Sequence, residues 1–151
     1  MLPACDGDDP ATDGTTGGET AGIPTEGDAL RDRLIDGNYA DWPAESGPHQ
    51  STGPHFGAVR TWINPTLDES LAAGNEEHPV GSATVKELYG SGDTALGWAV
   101  MVKVEEGAGG DGWYWYERYD GSDFADGTGV GLCTGCHGGG SDYVLTPYPL
   151  Q

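Results

Sequence analysis

The feature that most constrains this chain is the pentapeptide Cys133-Thr-Gly-Cys136-His137, which lies fourteen residues before the last residue. Two cysteines separated by two residues and followed directly by a histidine form the attachment motif of a c-type haem. The two thiols add to the haem vinyl groups, and the histidine reaches the iron. No methionine or histidine follows His137, so the usual layout of a small electron-transfer cytochrome is excluded. We therefore expect a scaffold built first and a C-terminal segment that holds the haem against it.

Two other interpretations of the motif are weaker. A zinc site needs four ligands, but the third cysteine, Cys5, lies far away, and His49, His55 and His78 show no paired spacing. A thioredoxin-type motif is expected between a strand and a helix, whereas three glycines follow His137 here. The sequence therefore favours covalent haem c, and with it an extracytoplasmic or periplasmic protein, since bacterial thioether attachment is completed outside the cytoplasm.

The charge of the chain restricts its partners. Its 25 acidic residues against 6 basic ones give a formal net charge of −19. Such a surface repels phosphate backbones, so nucleic acid is excluded as a partner. A soluble basic redox partner stays open, although strong negative charge also serves solubility alone. No apolar run has the length of a transmembrane helix.

The composition divides the chain into residues 1–28 and 29–151. Residues 6–28 carry seven acidic residues, no basic residue and almost no apolar ones, which predicts a flexible, solvated tail. Leu2-Pro3-Ala4-Cys5 resembles the lipobox of bacterial lipoproteins, in which the cysteine is lipidated. The basic and apolar parts of a signal peptide do not precede it, so a lipid anchor at Cys5 and an ordinary cysteine both stay open.

The remaining residues predict one domain of mainly antiparallel β-structure, in the α+β class. Apolar and helix-forming residues predict helices over 29–36 and from Asn64 to Gly74, with Asn64 or Thr66 as the cap of the second. Glycine-rich links predict hairpins between successive strands. Residues 121–131, rich in glycine and aspartate, are expected to form a loop. The predicted strands cover residues 55–63, 82–89, 95–105 and 112–119.

The strand over 95–105 has two contrasting faces. One face is bulky, and the other is small in its first half. A bulky face belongs in a core, whereas a small face leaves room for a flat group or lies against another sheet. The small face carries Ala95, Gly97, Ala99, Met101 and Lys103, and the bulky face carries Leu96, Trp98, Val100, Val102 and Val104.

From Asn38 to Leu150 the sequence resembles the cytochrome P-460 family and its relative, cytochrome c′-beta. The segments that carry this likeness occur in the family's order, and only the haem motif is specific by itself. They are NYADW, VRTWINPTLDESLAAG, GSATVKELYGSGD, GWYWYERY and CTGCH with DYVLTPYPL. The resemblance implies a homodimer of mostly antiparallel β-structure around a five-coordinate haem c that binds small nitrogenous ligands or substrates.

The resemblance also implies particular site residues. In cytochrome P-460 a lysine of the VKEL segment is bonded to the porphyrin edge, which corresponds to Lys86. The chain has only one other lysine, Lys103. A distal carboxylate takes protons from the substrate in that family, and the ungapped match puts Ala99 there. Arg60 is expected to line the distal pocket or to pair with an acid. An exposed strand lysine is the ordinary alternative for Lys86.

Two functions follow from the resemblance. The first is a hydroxylamine oxidoreductase, which depends on Lys86. The second is a nitric-oxide-binding protein or electron carrier, which the missing carboxylate at Ala99 favours. Sixth ligands that would close the iron site are Met101, for which packing is the commoner role, and the loop histidines His49, His55 and His78. Glu105 and Glu106 are expected to lie on a solvated hairpin.

Overall fold

A computed structural model describes residues 19–151, and its centre is a six-stranded antiparallel sheet. The strands lie side by side in chain order, so each new strand pairs with the one before it. This arrangement confirms the prediction of a mainly antiparallel β-fold, and the four predicted strands are all present. The six strands are β3 His49–Gln50, β4 Ala58–Ile63, β5 Ala83–Gly90, β6 Gly97–Lys103, β7 Trp113–Tyr119 and β8 Ser122–Thr128.

Three short helices flank the sheet: α1 Gly27–Ile35, α2 Pro65–Ala72 and α3 Gly131–His137. The Asn64 side chain accepts a hydrogen bond from the backbone N–H of Leu67 at 3.0 Å, which caps α2 as one of the two predicted alternatives. Gly37 and Gly74 follow the first two helices with positive φ angles, the usual C-terminal geometry. In the described residues, none of the helices has the length and apolarity needed to cross a membrane.

The predicted acidic tail ends earlier than residue 28. A small hairpin of β1 Glu19–Thr20 and β2 Ile23–Pro24 precedes α1. Ile23 is buried in the same core as Leu30 and Leu34 of α1 and distant residues of the sheet, and this burial fixes the hairpin. The rest of the predicted tail, including Cys5, lies outside the described residues.

The predicted loop over 121–131 is also wrong. Residues 122–128 form β8, the edge strand paired with β7, and α3 starts at Gly131. The strand is formed by backbone pairing after a tight turn at Asp120 and Gly121, both with positive φ angles. The side chains of β8 are mostly exposed. Its sequence therefore lacks the alternation of apolar and polar residues from which strands are predicted.

The two faces of the sheet carry separate cores. On one face, Val85, Val100 and Tyr116 pack with Leu30 and Leu34 of α1. On the other face, Leu67 of α2 and Val144 of the C-terminal segment belong to a second core with Trp113 and Trp115 of β7. The prediction for 95–105 is confirmed for Val100 and Val102, which are buried in the first core. The second face also contains the site described next.

Candidate haem-binding pocket

The cysteine motif forms the last part of α3. Because residues three and four apart share one side of a helix, Cys133 lies on the same side as Cys136 and His137. Cys133 is half-buried against the second core, Cys136 is exposed, and both are free thiols. The helix thus presents the three groups of the motif together at the edge of the sheet.

These groups open into a cavity of about 840 Å³. This volume is within the roughly 300–1,000 Å³ that is usual for small-molecule and cofactor sites. The loop of residues 45–56 forms one wall, and residues 145–147 with Gln151 form another. The functional groups that line the cavity are Cys133, Cys136, His137, Lys86, Glu45, Glu117, His49 and His55.

A single cross-strand row forms the floor. Thr61, Lys86, Ala99, Glu117 and Ala125 are directly paired on five successive strands, so their side chains share one face. Lys86 and Glu117 line the main cavity, and Ala99 lines a small cavity that adjoins it. The small face predicted for 95–105 therefore lies under the pocket at Ala99, with a charged residue on either side of it.

His137 is held in a defined orientation. Its Nδ1 lies 2.9 Å from the carbonyl oxygen of Tyr143, and its ring packs edge-on against Trp115 with centroids 5.0 Å apart. Because a carbonyl oxygen only accepts hydrogen bonds, Nδ1 carries the proton and Nε2 keeps a free lone pair. Burial lowers the pKa of His137, although the hydrogen bond to Tyr143 opposes the shift. The ring is therefore a neutral imidazole at pH 7, the form that ligates metals.

Lys86 lies in the pocket rather than in solvent. Burial lowers the pKa of its amine, and the charges of Glu45 and Glu117 only partly oppose this shift. Within residues 19–151, no carboxylate lies within ion-pair distance of its nitrogen. An amine that is buried without a direct partner is costly and inclines to its neutral, nucleophilic form. The other lysine, Lys103, is fully buried in an ion pair with Asp142 and does not line the cavity.

Glu117 and His55 are pocket residues that sequence reasoning did not assign to the site as a pair. The His55 Nδ1 lies 3.5 Å from a carboxylate oxygen of Glu117, and both side chains are mostly buried. The His55 ring is also near the His137 ring, at 6.3 Å between centroids. The sequence does contain a signal for Glu117, because it follows Trp113 and Trp115 at intervals of two residues and so lies on the same face of β7 as these two tryptophans.

Two other residues were considered for the site from the sequence, Arg60 for the distal pocket and Met101 as an iron ligand. Arg60 lies on the opposite face of β4, where its guanidinium stacks over Trp62 at 4.4 Å and its Nε donates to the Glu45 carbonyl. The prediction that Arg60 lines the pocket is therefore wrong. Successive side chains of a strand point to opposite faces, and the neighbouring residue Thr61 is the one that lines the pocket. Met101 packs in the second core and, like Ala99, also lines the small cavity that adjoins the pocket.

The histidines outside the motif divide between the pocket and the core. His49 lines the pocket wall, bonded to Glu45 at 3.0 Å. His78 is fully buried beside Ser70, away from the cavity lining. Of the histidines named as sixth ligands, His55 is thus the one brought near His137.

The structure also bears on the two alternative interpretations of the motif. Within residues 19–151, no group of three or more histidine, cysteine or acidic side chains is arranged so that it could hold a metal ion. Burial raises the pKa of Cys133 to about 11. A redox-active cysteine of the thioredoxin type needs the opposite shift, so this thiol is not activated for disulfide exchange.

The residues present suit a c-type haem. Two free thiols and one neutral imidazole with a free Nε2 come from a single helix and open into one cavity of cofactor size. Apolar side chains at the cavity edge, Phe56, Phe124, Leu132 and Leu145, are exposed in the chain alone, as expected for surfaces that a flat apolar group covers.

No protein-family model matches the chain, and no curated protein matches its sequence.

Proposed function

We propose that this chain is a c-type haem protein of the cytochrome P-460 type, with haem bonded to Cys133 and Cys136 and ligated by His137. The observation that carries the proposal is that these three groups and the amine of Lys86 line one cavity. The antiparallel sheet and the family-like segments from Asn38 to Leu150 support the same scaffold.

The activity we propose is oxidation of hydroxylamine or a related small nitrogen compound. A bound haem would supply an iron that binds the substrate nitrogen and passes its electrons to a redox partner. His137 Nε2 would ligate that iron, while the Tyr143 carbonyl keeps the proton on Nδ1. Lys86 would bond to the haem edge during maturation, with loss of one amine N–H and one porphyrin C–H and transfer of two electrons to an external oxidant such as a peroxide. Its amine is confined beside the motif and has no direct counter-ion among residues 19–151.

Glu117 is the proposed proton acceptor. Oxidation of hydroxylamine releases protons, and a carboxylate within the pocket is the group that can take them. Ala99, the position expected from the resemblance, has no such group, but Glu117 is its direct partner on β7. His55, 3.5 Å from the Glu117 carboxylate, lies beside the pocket loop and can carry protons onward.

A second candidate is a nitric-oxide-binding protein of the cytochrome c′-beta type, or an electron carrier. The small methyl side chain of Ala99 in the pocket floor favours binding of a small neutral gas without proton transfer. Hydroxylamine oxidation and nitric oxide binding both require an iron site without a second protein ligand, whereas a six-coordinate iron would favour the electron carrier. His55 is the described side chain that would close the site, since it lies nearest His137 among the histidines considered.

The setting of the protein also belongs to the proposal. Covalent haem attachment implies an extracytoplasmic, periplasmic location, with lipid anchoring through Cys5 as the open alternative. A net charge of −19 suits a soluble redox partner with a basic surface. The resemblance to the cytochrome P-460 family implies that the protein forms a homodimer.

The matched variants Glu117→Gln and Glu106→Gln test the activity. Both remove one carboxylate of the same size, but Glu106 is an exposed residue outside the cavity lining. We expect Glu117→Gln to lower kcat for hydroxylamine oxidation about 10²-fold or more, with nitric oxide affinity retained and Glu106→Gln unchanged. Wild-type protein that binds nitric oxide but does not oxidise hydroxylamine would instead support the second candidate.

A further inference from the structure

The C-terminal segment after α3 contains a turn that its own sequence does not favour. Ser141–Val144 closes with a 3.0 Å hydrogen bond from the Val144 N–H to the Ser141 carbonyl. Its two central residues, Asp142 and Tyr143, have φ angles of 46° and 68°. Two left-handed residues in succession are characteristic of Asn-Gly or Gly-Gly, and tyrosine tolerates this conformation poorly. Contacts from outside the turn must therefore hold it.

Those contacts converge on the Asp142 carboxylate. Lys103 Nζ donates to both of its oxygens, at 2.9 and 2.7 Å, and the backbone N–H of His78 donates to one of them at 2.9 Å. Trp113 Nε1 adds a longer bond of 3.4 Å, and its ring lies 5.2 Å beneath the Lys103 ammonium. The Lys103 side chain is fully buried and that of Asp142 is 7% exposed. The turn is thus fixed to the ends of β6 and β7.

Stability alone explains this arrangement poorly. Desolvation of two charges offsets much of their attraction, and apolar replacements of buried ion pairs are often neutral or stabilising. The turn that the pair holds contains the Tyr143 carbonyl, the hydrogen-bond acceptor of His137 Nδ1. A histidine's partner on the second ring nitrogen sets which nitrogen is free and how the ring points.

We propose that the buried Lys103–Asp142 ion pair is a positioning device for His137. It holds residues 141–144 in the left-handed turn that aims the Tyr143 carbonyl at Nδ1 and so fixes Nε2 as the free nitrogen. Lys103 and Asp142 are positioning residues, since neither lines the cavity. In its relation to haem this inference rests on the proposed function, whereas the tautomer of His137 is a property of the chain alone.

The test compares haem-loaded wild type with the double variant Lys103→Met/Asp142→Asn, which removes both charges together and leaves no lone buried ion. Tyr114→Phe is the control, because it removes a partly buried hydrogen bond to Asp126 from a side chain in the first core, on the other face of the sheet from the turn. Tyr143→Phe is a second control that keeps the backbone carbonyl. The readout is the ferrous iron–histidine stretching frequency, measured by resonance Raman. A weaker hydrogen bond from the His137 Nδ1–H to the Tyr143 carbonyl would weaken the bond from Nε2 to iron and so lower this frequency.

We expect a lower frequency in the double variant and an unchanged one in both controls. A double variant that retains covalent haem and the wild-type frequency would overturn the inference. Wild type without covalent haem would instead refute the proposed function. The inference is then tested on the haem-free chain, where two-bond ¹H–¹⁵N NMR spectra should show His137 protonated at Nδ1 in wild type and as mixed tautomers in the double variant. Identical His137 spectra would contradict it.

Discussion

The chain's two lysines lie on the same face of one sheet, and their surroundings differ. Lys103 is fully buried with a bidentate carboxylate partner and an aromatic ring beneath it. Lys86, on the neighbouring strand, borders a cavity and has no direct counter-ion within the described part of the chain. A half-buried amine without a direct partner costs free energy. The surroundings of Lys103 are explained by packing and ion pairing, whereas the position of Lys86 suits the proposed haem.

Substitution of Lys103 should change the free energy of unfolding more than any other change considered. Lys103→Met leaves the Asp142 carboxylate buried without its partner, so the free energy of unfolding should fall by about 3–5 kcal/mol. The double variant with Asp142→Asn should recover most of this loss, because it leaves no lone charge. Urea denaturation measures both. A loss below about 1 kcal/mol for the single variant would mean that the pair contributes as little as a surface ion pair.

Substitution of Lys86, beside the cavity, should change the free energy of unfolding in the opposite direction. In the chain without haem, Lys86→Met should raise the free energy of unfolding by about 1 kcal/mol, because it removes the desolvation of an unpaired amine. The same urea experiment measures it. If Lys86→Met destabilised the chain as strongly as Lys103→Met, Lys86 would have a direct partner and the contrast between the two lysines would disappear.

A smaller effect is expected on the pH dependence of stability, through His78, which is buried close to Asp142. Burial lowers the pKa of His78 in the folded chain below the ordinary value of about 6.5. The unfolded chain therefore takes up the proton first as pH falls, and stability decreases below about pH 6.5, by about 1.4 kcal/mol per pH unit at most. Unfolding at pH 7.5 and 5.5 should show a smaller difference in His78→Gln than in wild type. An equal difference would mean that His78 does not titrate on unfolding.

Much of the scaffold is predictable from the sequence because its strands alternate. The apolar alternation around Val100, the glycine-rich hairpins and the Asn64 cap all act locally, within a few residues of one another. The edge strand β8 escapes prediction because backbone pairing with β7, and not its own side chains, makes it a strand. The tail boundary fails for a similar reason, since Ile23 is fixed by a core formed from distant residues.

The candidate site is predictable only in part. The motif spacing identifies Cys133, Cys136 and His137, and the local likeness singles out Lys86. The cross-strand register cannot be read from one strand, however, and it is the register that places Glu117 beside Ala99. The support for His137 from Tyr143 depends on a left-handed turn that the residues of that turn do not favour.

The proposed function requires that the cavity hold a haem bonded to the chain beside Lys86. Peptide mapping by mass spectrometry, on protein matured in a host that attaches haem c, tests this requirement. We expect one haem on the peptide containing Cys133 and Cys136, cross-linked to the peptide containing Lys86, with Lys103 unmodified. Haem attached only at the two cysteines would contradict the role of Lys86 and favour the gas-binding alternative, and a chain with no haem adduct would contradict haem binding altogether.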